Sequence, residues 1–140
     1  AFRYLGRRDR TVAEVRRHLE AKRCEPAAID AAVAELQEQG YLDDAGYAQR
    51  FAEDRRLLDG WGAERIARRL TAAGVDREEI AAACADQDHE AELEAAVALL
   101  RRRFPTPPET DRDRDRALGM LVRKGYELEV AYDAVRALAA

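Results

Sequence analysis

Apolar residues along this chain fall three and four apart, and no stretch shows the strand-like alternation of Val, Ile and Thr. The clearest stretch is GWGAERIARRLTAAGV, residues 60–75. There Ala63, Ile66, Ala67 and Leu70 form one stripe, and Arg65, Arg68 and Arg69 lie off it. Gly74 stands where a helix C-terminal stop belongs. Displacing the sequence by 51 residues in either direction lays Ile66 on Val15 and Ala117, and Leu70 on Leu19 and Leu121. Gly74 falls on Gly125 one way and on Arg23 the other. Downstream, Ile80 matches Ile29 and Ala131, and Ala83 matches Ala32 and Ala134, with no gap. A fixed stride of this length marks a repeat architecture. The pattern predicts an all-α fold of three tandem three-helix repeats, residues 1–42, 43–87 and 88–140, in an elongated, curved array.

Repeat one opens on a helix carrying Phe2, Tyr4 and Leu5, already under way at Ala1, which predicts a native segment ahead of it. Thr11 is placed to cap the second helix, with Glu14 as its capping-box partner, and Val12, Val15 and Leu19 share one face. Pro26 starts the third helix, whose stripe is Ile29, Val33 and Leu36, and Gly40 ends it. In repeat two, Asp43 or Asp44 is a natural N-cap for a helix with the stripe Tyr47, Ala48, Phe51 and Leu58. Asp76 caps the helix that holds Ile80, Ala83 and Cys84. Repeat three runs through Leu93, Val97, Leu100 and Phe104 until FPTPPETD, residues 104–111, where three prolines in four residues exclude helix. Half of DRDRDR, residues 111–116, reads as the next helix start. Leu118, Leu121 and Val122 face inward, and Gly125 is the stop.

Units of about 50 residues bury too little surface to stand alone, so the repeats must share cores. The net charge of -4 speaks against a dedicated DNA-binding domain. Its distribution says more: segments 1–23, 50–69 and 95–124 carry +5, +2 and +4, while 24–49 and 70–94 carry -6 and -7. The sign alternates in step with the repeat. There is no signal peptide and no long apolar run, so the chain reads as a soluble, cytoplasmic monomer with no membrane contact. Cys24 and Cys84 lack CxxC spacing and read as buried thiols in a reducing compartment, with no metal or cofactor.

No catalytic set is present. The chain has no serine, His18 and His89 are more than a repeat apart, and neither a Gly-rich phosphate loop nor HExxH spacing occurs. Asp43 and Asp44 read as caps rather than an acid–base pair. Tyr47 and Phe51, four apart on a helix, read as packing between repeats ahead of base stacking. Trp61 is open between an inter-repeat core and an exposed contact. Ile66 and Leu70 are core positions. The basic residues Arg7, Arg8, Arg16, Arg17, Arg65, Arg68, Arg69, Arg101, Arg102 and Arg103 recur along the array. They form either a ridge for an elongated, partly acidic partner (a protein filament, DNA or both) or pairs with the acidic helices that leave only a solvated surface. The acidic third helices of repeats one and two disfavour sequence-specific DNA reading.

LDDAGYAQRF, residues 42–51, followed by GWGAERIARRLTAAGV, resembles the signature of the RecX regulatory proteins. RYLGRRDRTVAEVRRHLEAK, residues 3–22, is similar to that family's N-terminal segment, with Thr11 where the family usually has Ser. The resemblance implies three tandem three-helix units and no enzymatic activity. It also implies a modulator of the RecA recombinase, usually a negative one, acting in homologous recombination, DNA repair and the SOS response. Such a protein lies in the groove of the RecA filament on DNA and blocks its ATP-driven strand exchange and growth. Any contact with single- or double-stranded DNA is then weak or non-specific. A non-specific DNA-binding helical-repeat protein acting without RecA is the other reading of the same residues.

Overall fold

The computed structural model describes residues 2–5 and 9–139, and every regular element among them is a helix. The order is α1 (Phe2–Leu5), α2 (Val12–Ala21), α3 (Pro26–Glu38), α4 (Asp44–Asp54), α5 (Ala63–Ala72), α6 (Arg77–Ala83), α7 (His89–Arg103), α8 (Asp111–Lys124) and α9 (Leu128–Ala139). A π-helical turn, Arg55–Asp59, continues α4.

The 51-residue stride is written in the backbone. Cys24, Val75 and Tyr126 donate their N–H groups to the carbonyls of Leu19, Leu70 and Leu121 at 3.2, 3.0 and 3.1 Å. This is the six-to-one bond of a Schellman stop, and it requires the preceding residue to be left-handed. Gly74 and Gly125 take that conformation with φ +85° and +100°. The third equivalent position holds Arg23, which takes it too, with φ +60°. The helix starts are equally local. Thr11 and Glu14 form a reciprocal capping box, Pro26 occupies a first-turn position, and Asp88 and Thr110 cap α7 and α8.

The chain divides into two compact units, residues 1–50 with 69–83 and residues 51–68 with 84–140. In the first, α2 packs on α3 around Val15, Leu19, Ile29, Val33, Leu36 and Leu42. Tyr4 stacks on the ring of His18 at 4.0 Å, and Leu70 is fully buried. In the second, α9 packs on α7 and α8 around Leu99, Leu100, Leu121, Tyr126, Val130 and Val135. Ile66 is fully buried there, and Trp61 is 8% exposed, which places it in the core. Phe51 meets Trp61 edge to face at 6.0 Å.

Three expected burials are overturned. Leu58 is 73% exposed instead of inward, because the π turn spreads each turn over more residues and rotates the following positions off the stripe. Arg55 lies over the rings of Phe51 and Trp61 instead. Val122 is 42% exposed, because Ala117 and Leu121 hold the inward face of α8 and the next residue turns away. Cys24 is exposed, sitting in the turn after α2, while Cys84 is half-buried and its thiol is pushed up by burial. The whole of DRDRDR is helical from Asp111, not half of it.

Candidate functional site

One kind of junction occurs in each unit, and its helix start and helix end fall at the same repeat positions. In the first unit the start of α2 meets the end of α5. The Thr11 hydroxyl donates to the Ala73 carbonyl at 2.5 Å while accepting from Glu14 N–H at 3.2 Å. Asp44 reaches across from α4 to accept the Val12 N–H at 2.9 Å, leaving Asp43 to accept from Gly46 N–H at 3.1 Å as the cap of α4 itself. In the second unit the start of α5 meets the end of α8. Gly62 and Glu64 donate to the carbonyls of Lys124 and Gly125 at 2.8 and 3.0 Å. The intervening Ala63 N–H goes to Glu92 on α7 at 2.7 Å. In the second junction, unpaired backbone donors of one helix start are thus satisfied by unpaired acceptors of another helix end, whereas in the first the Thr11 hydroxyl supplies the donor. The approach is close enough that a Cβ on Gly62 would lie 2.5 Å from the Gly125 oxygen. The two carboxylates carry a cost: burial holds Asp44 and Glu92 above the ordinary carboxylate range, partly offset by the backbone bonds they accept. Tyr126 closes the second junction by donating to the Gly60 carbonyl at 3.0 Å, and burial pushes its phenol up to about 12.

The candidate arginines divide by what they touch. Arg7 and Arg8 lie outside the described residues. Arg16 pairs with Asp30 on α3 at 2.8 Å. Arg65 is half-buried, with its guanidinium 4.0 Å over the Trp61 ring and bonded to the Arg123 carbonyl at 3.2 Å, so it helps to close the second junction. Arg17 and Arg69 are exposed in the first unit, and Arg68, Arg101, Arg102 and Arg103 are exposed in the second. Tyr47 is half-buried on α4.

A second set of basic residues was not visible as a group in the sequence. Arg112, Arg116 and Arg123 line a cleft of about 730 Å³ with Arg103, Phe104, Asp115 and Met120. DRDRDR reads as balanced charge, and only the spacing 112, 116, 120, 123 reveals one helical face. No group of His, Cys, Asp and Glu suited to a metal occurs among the described residues, and no helix there is long and apolar enough to cross a membrane.

Three family models match in sequence order: the first, second and third three-helix domains of RecX, over residues 1–36, 43–83 and 90–135. The chain is 39% identical to "Regulatory protein RecX" of Mycolicibacterium smegmatis, over 96% of its own length and 74% of that protein. It is 40% identical to the Mycolicibacterium vanbaalenii protein of the same name, over 97% and 78%. A Lactobacillus delbrueckii relative of that name is 40% identical over 61% of this chain, which spans 32% of that longer protein. The crystal structure of RecX from Lactobacillus salivarius superposes with a TM-score of 0.81 at 20% identity, over 97% of this chain and 90% of that one, a likeness of fold. With the three domains matched in order and two relatives aligned over nearly its full length, the chain belongs to the RecX family, whose matched members carry the name regulatory protein.

Proposed function

We propose that this chain acts as a cytoplasmic monomer that binds the RecA recombinase filament on DNA and inhibits its ATPase, its growth and strand exchange. The observation that carries the reading is membership of the RecX family across all three helical domains. The exposed arginines Arg17, Arg68, Arg69, Arg101 and Arg102 support it, because they place positive charge at the surface, where an acidic polymer can meet it. The three repeats, 1–42, 43–87 and 88–140, supply several weak contacts on one chain, which add through effective concentration when the partner also repeats.

The test is RecA ATPase and strand exchange measured with and without this protein. Inhibition is expected, and an Arg68→Glu/Arg69→Glu variant is expected to inhibit less while keeping its helical circular dichroism. RecA ATPase untouched by the wild-type chain would overturn the reading. Full inhibition by the double variant would remove those two arginines from the surface. Binding to bare DNA that is tight, steeply salt-dependent and without effect on RecA would favour DNA binding alone.

A further inference from the structure

We propose that the cleft between the end of α7 and one face of α8 seats the phosphate backbone of a single nucleic-acid strand. The inference deepens the proposed function and rests on its DNA contact. Arg112, Arg116 and Arg123 stand four and seven residues apart along α8, with Met120 between the last two. At the rise of an α-helix, the row extends about 16 Å. Arg103, in the last turn of α7, forms the opposite wall beside Phe104.

These guanidinium groups are available. Arg103, Arg112, Arg116 and Arg123 are exposed, and none is in an ion pair with a carboxylate among the described residues. Arg114, from the same run of sequence, differs: it pairs with Asp111 and donates to the Glu109 carbonyl at 3.2 Å. The run is therefore sorted by helical geometry into an arginine tied to the N-terminal turn and arginines left for the cleft. Gly119 assists, since the Arg123 guanidinium lies 3.2 Å from where a Cβ on residue 119 would stand. Four positive groups face one acid, Asp115, in a space of about 730 Å³. Such a concentration of like charge favours an anion that can touch several of them at once. A planar guanidinium matches phosphate with paired N–H bonds.

The apolar lining selects the form of nucleic acid. Phe104 and Met120 border the cleft and are only partly covered by the core beneath them. A single strand can turn a base onto that surface while its phosphates meet the arginines, whereas a duplex keeps its bases stacked inside.

The experiment is fluorescence anisotropy of a labelled oligothymidylate with the full chain, without RecA, over a tenfold range of salt. If four phosphates are neutralised, the slope of log affinity against log salt is about -2.8, a loss of roughly 600-fold over the range. Arg112→Gln/Arg116→Gln is expected to reduce the slope to about -1.4, a loss of roughly 25-fold. Arg103→Gln, on the other wall, should reduce it by about 0.7, and Arg77→Gln/Arg136→Gln, exposed and outside the cleft lining, should leave it unchanged. An equal effect of the outside pair would show diffuse charge and overturn the cleft. So would tighter binding of a duplex of the same length, or equal capture of polyglutamate with the same loss in the cleft variant. RecA ATPase measured in parallel separates the two readings. Oligonucleotide binding that obeys the slopes without RecA inhibition sinks the RecA reading and keeps the cleft. Inhibition by a chain whose oligonucleotide binding ignores the cleft substitutions does the reverse.

Discussion

Replacing Gly62 with alanine tests how closely α5 and α8 must meet. The added Cβ would stand 2.5 Å from the Gly125 oxygen, 2.6 Å from its carbon and 2.7 Å from the Tyr126 nitrogen. All three are backbone atoms, so no side chain can rotate away. Relief requires the strands of chain to part, and the bonds Gly62 N–H to Lys124 and Glu64 N–H to Gly125 bridge that gap. Losing both costs about 1–3 kcal/mol, and overpacking a well-filled contact adds about 1–3 kcal/mol. The expected total is roughly 2–6 kcal/mol, a large fraction of the about 5–15 kcal/mol that holds an ordinary domain together. Backbone strain is not part of it, because Gly62 is not among the residues with positive φ. Gly40 supplies the complementary control: its φ is +80° and nothing lies within 4 Å of a Cβ built there. Gly40→Ala therefore carries conformational strain alone, about 1–2 kcal/mol. The assay is urea denaturation followed by the fluorescence of Trp61, the single tryptophan, which is buried beside the altered residue. A Gly62→Ala variant no less stable than Gly40→Ala would refute the close-approach argument.

Thr11→Val keeps the shape but removes a hydroxyl that serves two helices, and is expected to cost about 2–4 kcal/mol. Thr11→Ser should cost only about 1 kcal/mol for the lost methyl, so equal midpoints in urea for the two variants would deny the bond to Ala73. Arg23→Gly should raise stability by up to about 1 kcal/mol, as relief of the left-handed strain exceeds the added chain entropy, and a lower midpoint would count against it. Glu92 is held above its ordinary value of 4.5 in the folded protein, so the folded state keeps the proton more tightly than the unfolded chain does. Its pH-linked contribution is complete below 4.5 and is lost as pH rises through the elevated value. Relative to Glu92→Gln, the wild type should lose stability as pH is raised from 4.5, and a difference that grows in the opposite direction would reject the assignment.

The RecX likeness, the helices and their period were legible because they depend on neighbours in sequence. The stripe through Ile66 and Leu70, the Thr11 capping box and the stops at Gly74 and Gly125 each rest on residues within one or two turns. The alignment of Gly74 with Arg23 even marks the place where a non-glycine residue must adopt a left-handed backbone, since the stop bonds recur at the same stride. Other assignments needed coordinates. Arg65 and Arg68 look alike on the helical face, yet one is stacked on Trp61 and the other is exposed. Leu58 continues a regular stripe until the π turn displaces it. Asp44 looks like a cap for its own helix, but its carboxylate serves Val12, far back in the sequence.

By itself, then, the sequence determined what kind of module this is, how often it is copied and where helices such as those at Thr11, Gly74 and Gly125 are capped or stopped, since hydrophobic period and capping are short-range properties. Only the tertiary structure decided which charged groups are consumed in holding helix ends together and which, such as those along α8, are left facing solvent. That choice turns on distances between segments remote in sequence, and no local pattern of residue types encodes them.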